Sequence, residues 1–363
     1  MPLPLLLETD PPLAWDEAAD LIAAQSGVVF LVGATDVGKS TLALEAANRA
    51  VRAGKHVAIL DSDLGQGEVG PPGTMGLVRL ETPVAALGEL PPRALAFVGA
   101  CSPNGHFLSV VEGVHQLVRH ARDRGDELVI VDTSGLIAGR LAEKLKLAKL
   151  EVLRPCLVVA LQRGSELQRL NALMQARTAA PVMRAQSPAG AGRKSPVYRR
   201  VQRAQRMRKH FESARIHDLD LASLRTLDGW LYTGTALPVA TLRAAATALK
   251  TDVPHGEQTA DGIYLCITGK PDRDGFTIFH DLFGKKRVTL TPAVTLSSLL
   301  VGLVGPEGRL IDVALLQGVN FERALFSLLT PARTLEDVRL LHFGRLRVRP
   351  DGSEITHLRP SDL

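Results

Sequence analysis

Residues 33–40, which read Gly33-Ala-Thr-Asp-Val-Gly-Lys-Ser40, decide the fold of this 363-residue chain. They follow a short apolar run, residues 28–32, and open a segment, residues 40–51, in which apolar side chains recur with helical spacing. A strand, a glycine-bearing turn and a helix in this order form a P-loop, whose backbone N–H groups surround nucleotide phosphates. We therefore predict a nucleoside triphosphate site in which Lys39 reaches the phosphate oxygens and Ser40 binds Mg²⁺. The residues predicted to bind the nucleotide are Gly33, Ala34, Thr35, Asp36, Val37, Gly38, Lys39, Ser40 and Thr41.

Short apolar runs alternate with longer amphipathic segments through the first half of the chain. After the P-loop, the runs with the composition of buried strands are residues 56–60, 96–98, 128–131 and 156–161. This alternation predicts an α/β fold, a doubly wound P-loop NTPase domain with a mainly parallel sheet.

From about residue 228 the pattern changes to short β-rich runs interrupted by Gly, Pro and Asp, at residues 262–267, 276–279 and 287–290. We therefore predict a P-loop domain over residues 1–225 and a smaller, β-rich C-terminal domain over residues 226–363. No uninterrupted apolar stretch approaches the roughly 18 residues that a bilayer requires. The three cysteines lack metal-site spacing. We expect a cytoplasmic protein that does not bind a membrane.

Positive charge is concentrated in one segment of the chain. Residues 184–215 contain ten Lys or Arg and a single acid, Glu212, whereas the whole chain has a net charge of only +5. A Pro/Gly/Ala-rich junction leads into this segment, and we predict a helical, Arg-rich lid at about residues 187–215. Such a distribution is expected of an element that binds phosphates.

Acidic residues end two of the predicted strands, at the sheet edge where open α/β folds bind ligands. We predict that Asp63 is the general base that takes the proton of an acceptor hydroxyl. Asp61 and Asp132 are predicted to hold Mg²⁺ together with Ser40, although the roles of Asp61 and Asp63 could be exchanged. Thr133, directly after Asp132, is a candidate substrate contact.

Several motifs, in order, resemble one kinase family. They are Asp61-Ser-Asp63-Leu-Gly65-Gln66, Pro71-Pro72-Gly73, Phe97-Val-Gly-Ala-Cys-Ser102-Pro103, Asp132-Thr-Ser-Gly135, the basic stretch from Arg193 to Phe211, and Phe343-Gly344-Arg345. Together with the P-loop, this ordered set resembles the polynucleotide 5′-hydroxyl kinases of pre-mRNA cleavage complexes and ribosomal-RNA processing. The resemblance covers most of the chain from Val28 onward.

The resemblance implies transfer of the ATP γ-phosphate to a 5′-hydroxyl end of RNA or DNA, with Mg²⁺ as cofactor. By the same resemblance, Asp63 matches the general base, Gln66 a polar contact near the acceptor or γ-phosphate, and Pro72 and Gly73 lie along the acceptor strand.

The lid supplies the remaining predicted site residues. Arg199, Arg203 and Arg206 share one face of the predicted helix. An arginine brought in by a lid can stabilise the charge on the transferred phosphoryl group, so Arg199, Arg200, Arg203 and Arg206 are the catalytic candidates. Arg193 and Arg208 are predicted to bind the acceptor backbone, which implies weak base preference and strong salt dependence.

Two other functions fit a P-loop chain. One is a kinase for nucleosides or other small molecules, against which the basic lid argues. The other is a non-catalytic ATP-binding scaffold in nucleic-acid processing, since this fold hosts proteins of many functions.

Overall fold

The computed structural model describes residues 11–190, 192–221, 224–272, 282–284 and 286–359. The chain forms two compact units. The first comprises Met1–Val98 and Ser102–Val201, and the second comprises Gly99–Cys101 and Gln202–Leu363. The main division falls after Val201, earlier in the chain than the boundary predicted between residues 225 and 226. The strand Arg215–Asp220 pairs with Leu325–Thr330 and therefore belongs to the sheet of the second unit.

The first unit contains a seven-stranded sheet with the strand order β4-β3-β2-β5-β1-β6-β7. Its strands are β1 (Gly27–Gly33), β2 (Val57–Ser62), β3 (Thr74–Leu80), β4 (Ala94–Phe97), β5 (Leu128–Thr133), β6 (Leu157–Gln162) and β7 (Val182–Gln186). The five strands from β2 to β7 in this order pair in parallel, whereas β3 and β4 form an antiparallel edge. The predicted mainly parallel sheet is confirmed.

Helices cover both faces of this sheet. They are α1 (Trp15–Ala24), α2 (Lys39–Arg52), α3 (Phe107–Asp123), α4 (Arg140–Leu153) and α5 (Gln168–Gln175). A hydrophobic core lies on each face of the sheet, and alternate residues of β1 point into one or the other. Phe30 packs with side chains of α3, α4 and α5, and Leu31 packs with those of α1 and α2. Because both faces are covered, the central strands are apolar almost throughout, as buried parallel strands require.

The Arg-rich segment forms α6 (Pro196–Phe211), as predicted. The division between the two units falls within this helix, after Val201. In the second unit, Met207 and Phe211 of α6 are buried. Among the helices of the described residues, none is long and apolar enough to cross a membrane.

The second unit is rich in β-structure, as predicted. Its elements are β8 (Arg215–Asp220), β9 (Arg225–Leu227), β10 (Thr235–Ala236), α7 (Val239–Leu249), β11 (His255–Thr259), β12 (Gly262–Ile267), β13 (Val288–Pro292), β14 (Leu299–Val304), β15 (Leu310–Asn320), β16 (Leu325–Thr330), β17 (Leu340–Val348) and β18 (Glu354–His357). One sheet has the order β10-β11-β12-β13, and the other has the order β18-β17-β14-β15-β16-β8 with β9 beside β17. The predicted strand at residues 276–279 lies outside the described residues.

A buried carboxylate organises one turn of the second unit. Glu257, only 1% exposed, accepts hydrogen bonds from the backbone N–H groups of Tyr232, Thr233 and Gly234 at 2.6–3.0 Å. Its Oε1 atom also lies 2.7 Å from Nε2 of His255. Burial by itself would raise the pKa of Glu257, but these partners outweigh it and lower the pKa below its usual value.

Candidate functional site

The P-loop joins the end of β1 to the start of α2, and two of its residues have left-handed backbone conformations. Gly38 has a φ of 95°, and Asp36 has a φ of 60°. Ring carbons of Trp15 and Cδ of Pro188 lie 3.4–3.6 Å from the position a Cβ on Gly38 would take, which is ordinary van der Waals contact. Glycine suits this position because its backbone adopts a positive φ without strain.

Lys39 begins α2 and is only 7% exposed. Its Nζ donates a hydrogen bond to the carbonyl oxygen of Ala34, 2.7 Å away. Burial lowers the pKa of Lys39, while the negative charges of Asp132, Asp63 and Asp36 act in the opposite direction. The ammonium group is therefore held among acids at the mouth of the loop.

A cavity of about 350 Å³ lies above the P-loop, within the first unit. Its volume is in the range of small-molecule sites. The predicted site residues that line it are Thr35, Asp36, Gly38, Lys39, Ser40, Thr41, Asp61, Asp63, Gln66, Asp132 and Thr133. The structure thus brings the P-loop together with all three predicted acids, whereas Gly33, Ala34 and Val37 do not line the cavity.

Asp132 ends β5 beside the P-loop helix. Ser40 Oγ donates a hydrogen bond to Asp132 Oδ2 at 2.5 Å. The other carboxylate oxygen, Oδ1, is buried and has no hydrogen-bond partner in the described part of the chain. Burial raises the pKa of Asp132, and Lys39 and Ser40 oppose that change. Asp132 therefore offers an unused oxygen next to a hydroxyl.

Asp61 lies opposite Asp132 in the β2–β5 register and holds the loop that follows β2. Its Oδ1 accepts from the N–H of Asp63 at 3.1 Å, and its Oδ2 accepts from the N–H groups of Glu68 and Val69 at 2.5 and 3.3 Å. A Cβ on Gly67 would lie 2.8 Å from both oxygens. Burial, with repulsion from Asp132 and Asp63, raises the pKa of Asp61 to about 7. Both oxygens of Asp61 thus accept backbone hydrogen bonds, which is the role that the structure gives this residue. Its metal-binding role stays a prediction.

Asp63 directly follows β2 and is less buried than Asp61. Its Oδ1 accepts from the N–H groups of Gly65 and Gln66 at 3.1 and 3.0 Å. Both of these hydrogen bonds end on Oδ1. The carboxylate is thus oriented by its own loop and keeps one oxygen for the cavity.

Pro72 and Gly73, predicted to lie along an acceptor strand, are both buried and do not line the cavity. Gly73 N–H donates to the carbonyl oxygen of Leu64 at 3.2 Å, which closes the loop that carries Asp63 and Gln66. Their contact with substrate stays a prediction.

One arginine of the lid reaches the P-loop. Arg199 Nη2 lies 2.6 Å from Asp36 Oδ2, and the same oxygen accepts the backbone N–H of Lys194 at 2.9 Å. Arg163 Nη2 donates to the carbonyl oxygen of Asp36 at 2.6 Å. Asp36 therefore joins the P-loop to the start of α6 inside the first unit.

None of the predicted lid arginines lines the cavity, Arg199 included. Arg193 and Arg200 are exposed residues of the first unit. Arg203, Arg206 and Arg208 belong to the second unit, where Arg203 Nε lies 2.6 Å from Glu354 Oε1. Their catalytic and acceptor-binding roles stay predictions.

Sequence reasoning missed two lysines on α4. Lys146 and Lys149 are 0% and 1% exposed, and they bond to residues at the ends of β5 and β2. Burial lowers the pKa of Lys149 to about 8 and that of Lys146 well below its ordinary value. The available signal was their position within the buried face of the helix, which also includes Ala142, Leu145, Leu150 and Leu153. Thr133, a predicted substrate contact, uses its hydroxyl in these interactions.

The parallel sheet has a P-loop after β1 and acids at the ends of β5 and β2, the two strands beside β1 in the sheet order. This arrangement defines a P-loop nucleotide-binding protein. A family model described as the P-loop of mRNA cleavage and polyadenylation factor CLP1 matches residues 33–213. Polyribonucleotide 5′-hydroxyl-kinase PF0112 of Pyrococcus furiosus is 31% identical over 90% of this chain and 89% of its own length. PYRAB01840 of Pyrococcus abyssi, which has the same description, is 31% identical over the same shares.

A solved structure has a similar fold. The solved structure of the wild-type Clp1p–Pcf11p complex aligns with a TM-score of 0.57, covering 93% of this chain and 80% of that chain at 14% identity. The chain belongs to the Clp1-type polyribonucleotide 5′-hydroxyl-kinase family. The resemblance found in the sequence is therefore confirmed.

Proposed function

We propose that this chain is a kinase that transfers the γ-phosphate of ATP to the 5′-hydroxyl end of RNA. The observation that carries the proposal is the convergence of Lys39, Asp63 and the Ser40–Asp132 pair on one cavity. The names of the archaeal relatives support the same reaction and substrate.

The residues present fit a Mg²⁺ ion. In the described part of the chain, no three His, Cys, Asp or Glu side chains are arranged to bind a metal ion. Mg²⁺ does not require such a set, because it is usually bound by one or two protein oxygens together with phosphates and water. The Ser40 hydroxyl and the unpaired Oδ1 of Asp132 are oxygens of this kind. When bound, the ion would neutralise charge on the β- and γ-phosphates.

Asp63 is the proposed general base. Its Oδ1 is fixed by two backbone N–H groups, which leaves Oδ2 to accept the proton of the acceptor hydroxyl. The 5′-oxygen then forms a bond to the γ-phosphorus, the bond from that phosphorus to the β,γ-bridging oxygen breaks, and ADP leaves. Asp61 contributes by holding the loop that orients Asp63.

Lys39 and Arg199 supply positive charge. Lys39 Nζ donates one hydrogen bond to Ala34 and has further protons for β- and γ-phosphate oxygens. Arg199, held beside the P-loop by Asp36, is the lid residue proposed to stabilise the equatorial oxygens of the transferred group. The exposed Lys194, at the cavity rim, is suited to the phosphates of the acceptor strand.

The test is transfer of labelled γ-phosphate from ATP to a 5′-hydroxyl RNA oligonucleotide. The same oligonucleotide with a 5′-phosphate is the matched negative acceptor, and a 5′-hydroxyl DNA oligonucleotide measures sugar preference. We expect transfer to the hydroxyl end only, and a decline as salt rises. ATP hydrolysis without transfer would favour the scaffold, and preferential use of mononucleosides would favour a small-molecule kinase.

A further inference from the structure

Two lysines of α4 are buried directly behind the strand ends that carry the acids. Lys146 and Lys149 are three residues apart on the helix and are among the most buried charged residues of the chain. Lysine is almost never fully buried without a specific partner, because removing its charge from water costs free energy. Neither residue lines the cavity, so their partners indicate what they do.

Lys149 acts on β2 and β5. Its Nζ donates a hydrogen bond to Ser62 Oγ at 3.0 Å, and Ser62 Oγ donates to the backbone carbonyl oxygen of Asp132 at 2.8 Å. Ser62 lies between Asp61 and Asp63 in the sequence. A single relay of amine, hydroxyl and carbonyl therefore joins the strand of the proposed base to the residue proposed to bind Mg²⁺.

Lys146 makes the equivalent connection one strand further along. Its Nζ donates to Thr133 Oγ1 at 2.6 Å, and Thr133 Oγ1 donates to the carbonyl oxygen of Leu31 in β1 at 2.8 Å. The same Nζ donates to the carbonyl oxygen of Ser134 at 2.6 Å. This second relay joins β5 to the strand that leads into the P-loop.

The two relays lie on the opposite face of the sheet from the acids. Ser62 and Thr133 are register partners on neighbouring strands, and both hydroxyls face α4. The preceding pair, Asp61 and Asp132, therefore faces the other side, where Asp132 meets Ser40 of α2. The lysines thus contact the strand ends on the α4 face of the sheet, and the acids lie on the α2 face.

We infer that Lys146 and Lys149 are positioning residues for phosphoryl transfer, which hold the ends of β1, β2 and β5 in the alignment that places Lys39, Asp63 and Asp132 around one phosphate. The inference deepens the proposed function and rests on it. Both lysines act through Ser62 and Thr133 and touch neither substrate nor nucleotide. Ammonium and neutral amine both donate such hydrogen bonds, so the role does not depend on the lysine charge.

A purely stabilising role fits the structure less well. Replacing buried charged groups with apolar side chains of similar size is often neutral or stabilising. Misplacement of reacting groups by about 1 Å can cost about 100-fold in rate. The two roles therefore differ in what a lysine-to-methionine substitution does to stability and to turnover.

The experiment compares Lys149→Met and Lys146→Met with Lys144→Met, which changes an exposed lysine on the same helix. For each protein, kcat and KM for ATP are measured in the transfer assay, and unfolding is followed by urea titration. We expect kcat to fall about 10- to 100-fold in the two buried variants, as for residues that orient a site indirectly. KM for ATP should change by less than about 3-fold, and Lys144→Met should match the wild type.

Ser62→Ala removes the hydroxyl in the middle of the Lys149 relay. This variant tests the same relay if a lysine variant does not fold. It should lower kcat, and adding Lys149→Met to it should cause little further loss, because both changes break one relay. Folded buried variants with wild-type kcat, or losses explained by the unfolded fraction alone, would overturn the inference. A wild-type protein that hydrolyses ATP but transfers no phosphate would instead overturn the proposed function. The ratio of variant to wild-type kcat would then be measured for ATP hydrolysis, and it would still test the positioning role.

Discussion

Replacing Lys149 by methionine should change how the stability of the protein depends on pH. Burial lowers the pKa of Lys149 from 10.5 to about 8, although Asp63, Asp132 and Asp61 act to raise it. The difference is about 2.5 pH units, and at roughly 1.4 kcal/mol per unit it corresponds to about 3.5 kcal/mol. In the wild type this is the free-energy penalty for burying a charged lysine.

The direction follows from proton binding. Below pH 8 the lysine is charged in the folded and unfolded states, so the penalty is fully present. Between pH 8 and 10.5 the folded protein has lost this proton while the unfolded chain still binds it, so the free energy of unfolding rises with pH. Above pH 10.5 the penalty is absent. In Lys149→Met this contribution is missing at every pH.

The measurement is urea unfolding of the wild type and the variant in metal-free buffer from pH 7 to 10.5. We expect the wild-type minus variant difference in unfolding free energy to increase by about 3 kcal/mol across this range. Because the charge of Lys149 lowers the pKa of Lys146, the comparison is repeated in a Lys146→Met background, which removes that titration from the difference. Lys144→Met should show no such increase. A difference that stays flat or decreases with pH would refute the reasoning.

Three further predictions concern single residues. Asp63→Asn should lower the rate of transfer about 10²- to 10⁴-fold while ATP affinity is kept, as measured by single-turnover transfer and equilibrium binding; undiminished transfer would remove the assigned base. Asp36→Asn weakens the ion pair with Arg199, so amide hydrogen exchange in residues 194–201 should accelerate and kcat should fall; unchanged exchange would contradict this. Glu257→Gln should lower the unfolding free energy by about 1–3 kcal/mol at pH 7. Because the pKa of Glu257 is lowered on folding, this difference should shrink as pH falls below 4.5, and a difference independent of pH would count against it.

The P-loop could be predicted because its information is local. Loop glycines, the lysine and the flanking strand and helix all lie within residues 27–52, so no distant contact is needed to recognise them. The acids at the ends of β2 and β5 could be predicted for a related reason, since the carboxyl ends of parallel strands meet at one edge.

The edge of the sheet was harder to predict. Residues 65–76 are rich in Gly and Pro, as a loop would be. The structure nevertheless forms β3 over Thr74–Leu80, antiparallel to β2. Its register is fixed by pairing with β2 and β4, and such tertiary pairing overrides local composition. The strand Val182–Gln186 was missed similarly, because pairing with β6 defines it.

The separate roles of Asp61 and Asp63 could not be assigned from the sequence. The two acids are chemically equivalent and two residues apart, and only the path of the loop shows which one accepts the N–H groups of Glu68 and Val69. The α4 lysines were missed because lysine normally indicates a solvated position. Their burial depends on Ser62 and Thr133, which are far away in sequence.

The chain contains two tryptophans, and they fall one in each unit. Trp15 packs against Gly38 of the P-loop, and Trp230 is 4% exposed and donates to Thr291 at 2.9 Å. Each unit therefore carries its own intrinsic fluorophore. With Trp230 changed to phenylalanine, the emission of a single indole would follow the arrival of a nucleotide at the P-loop without any attached dye.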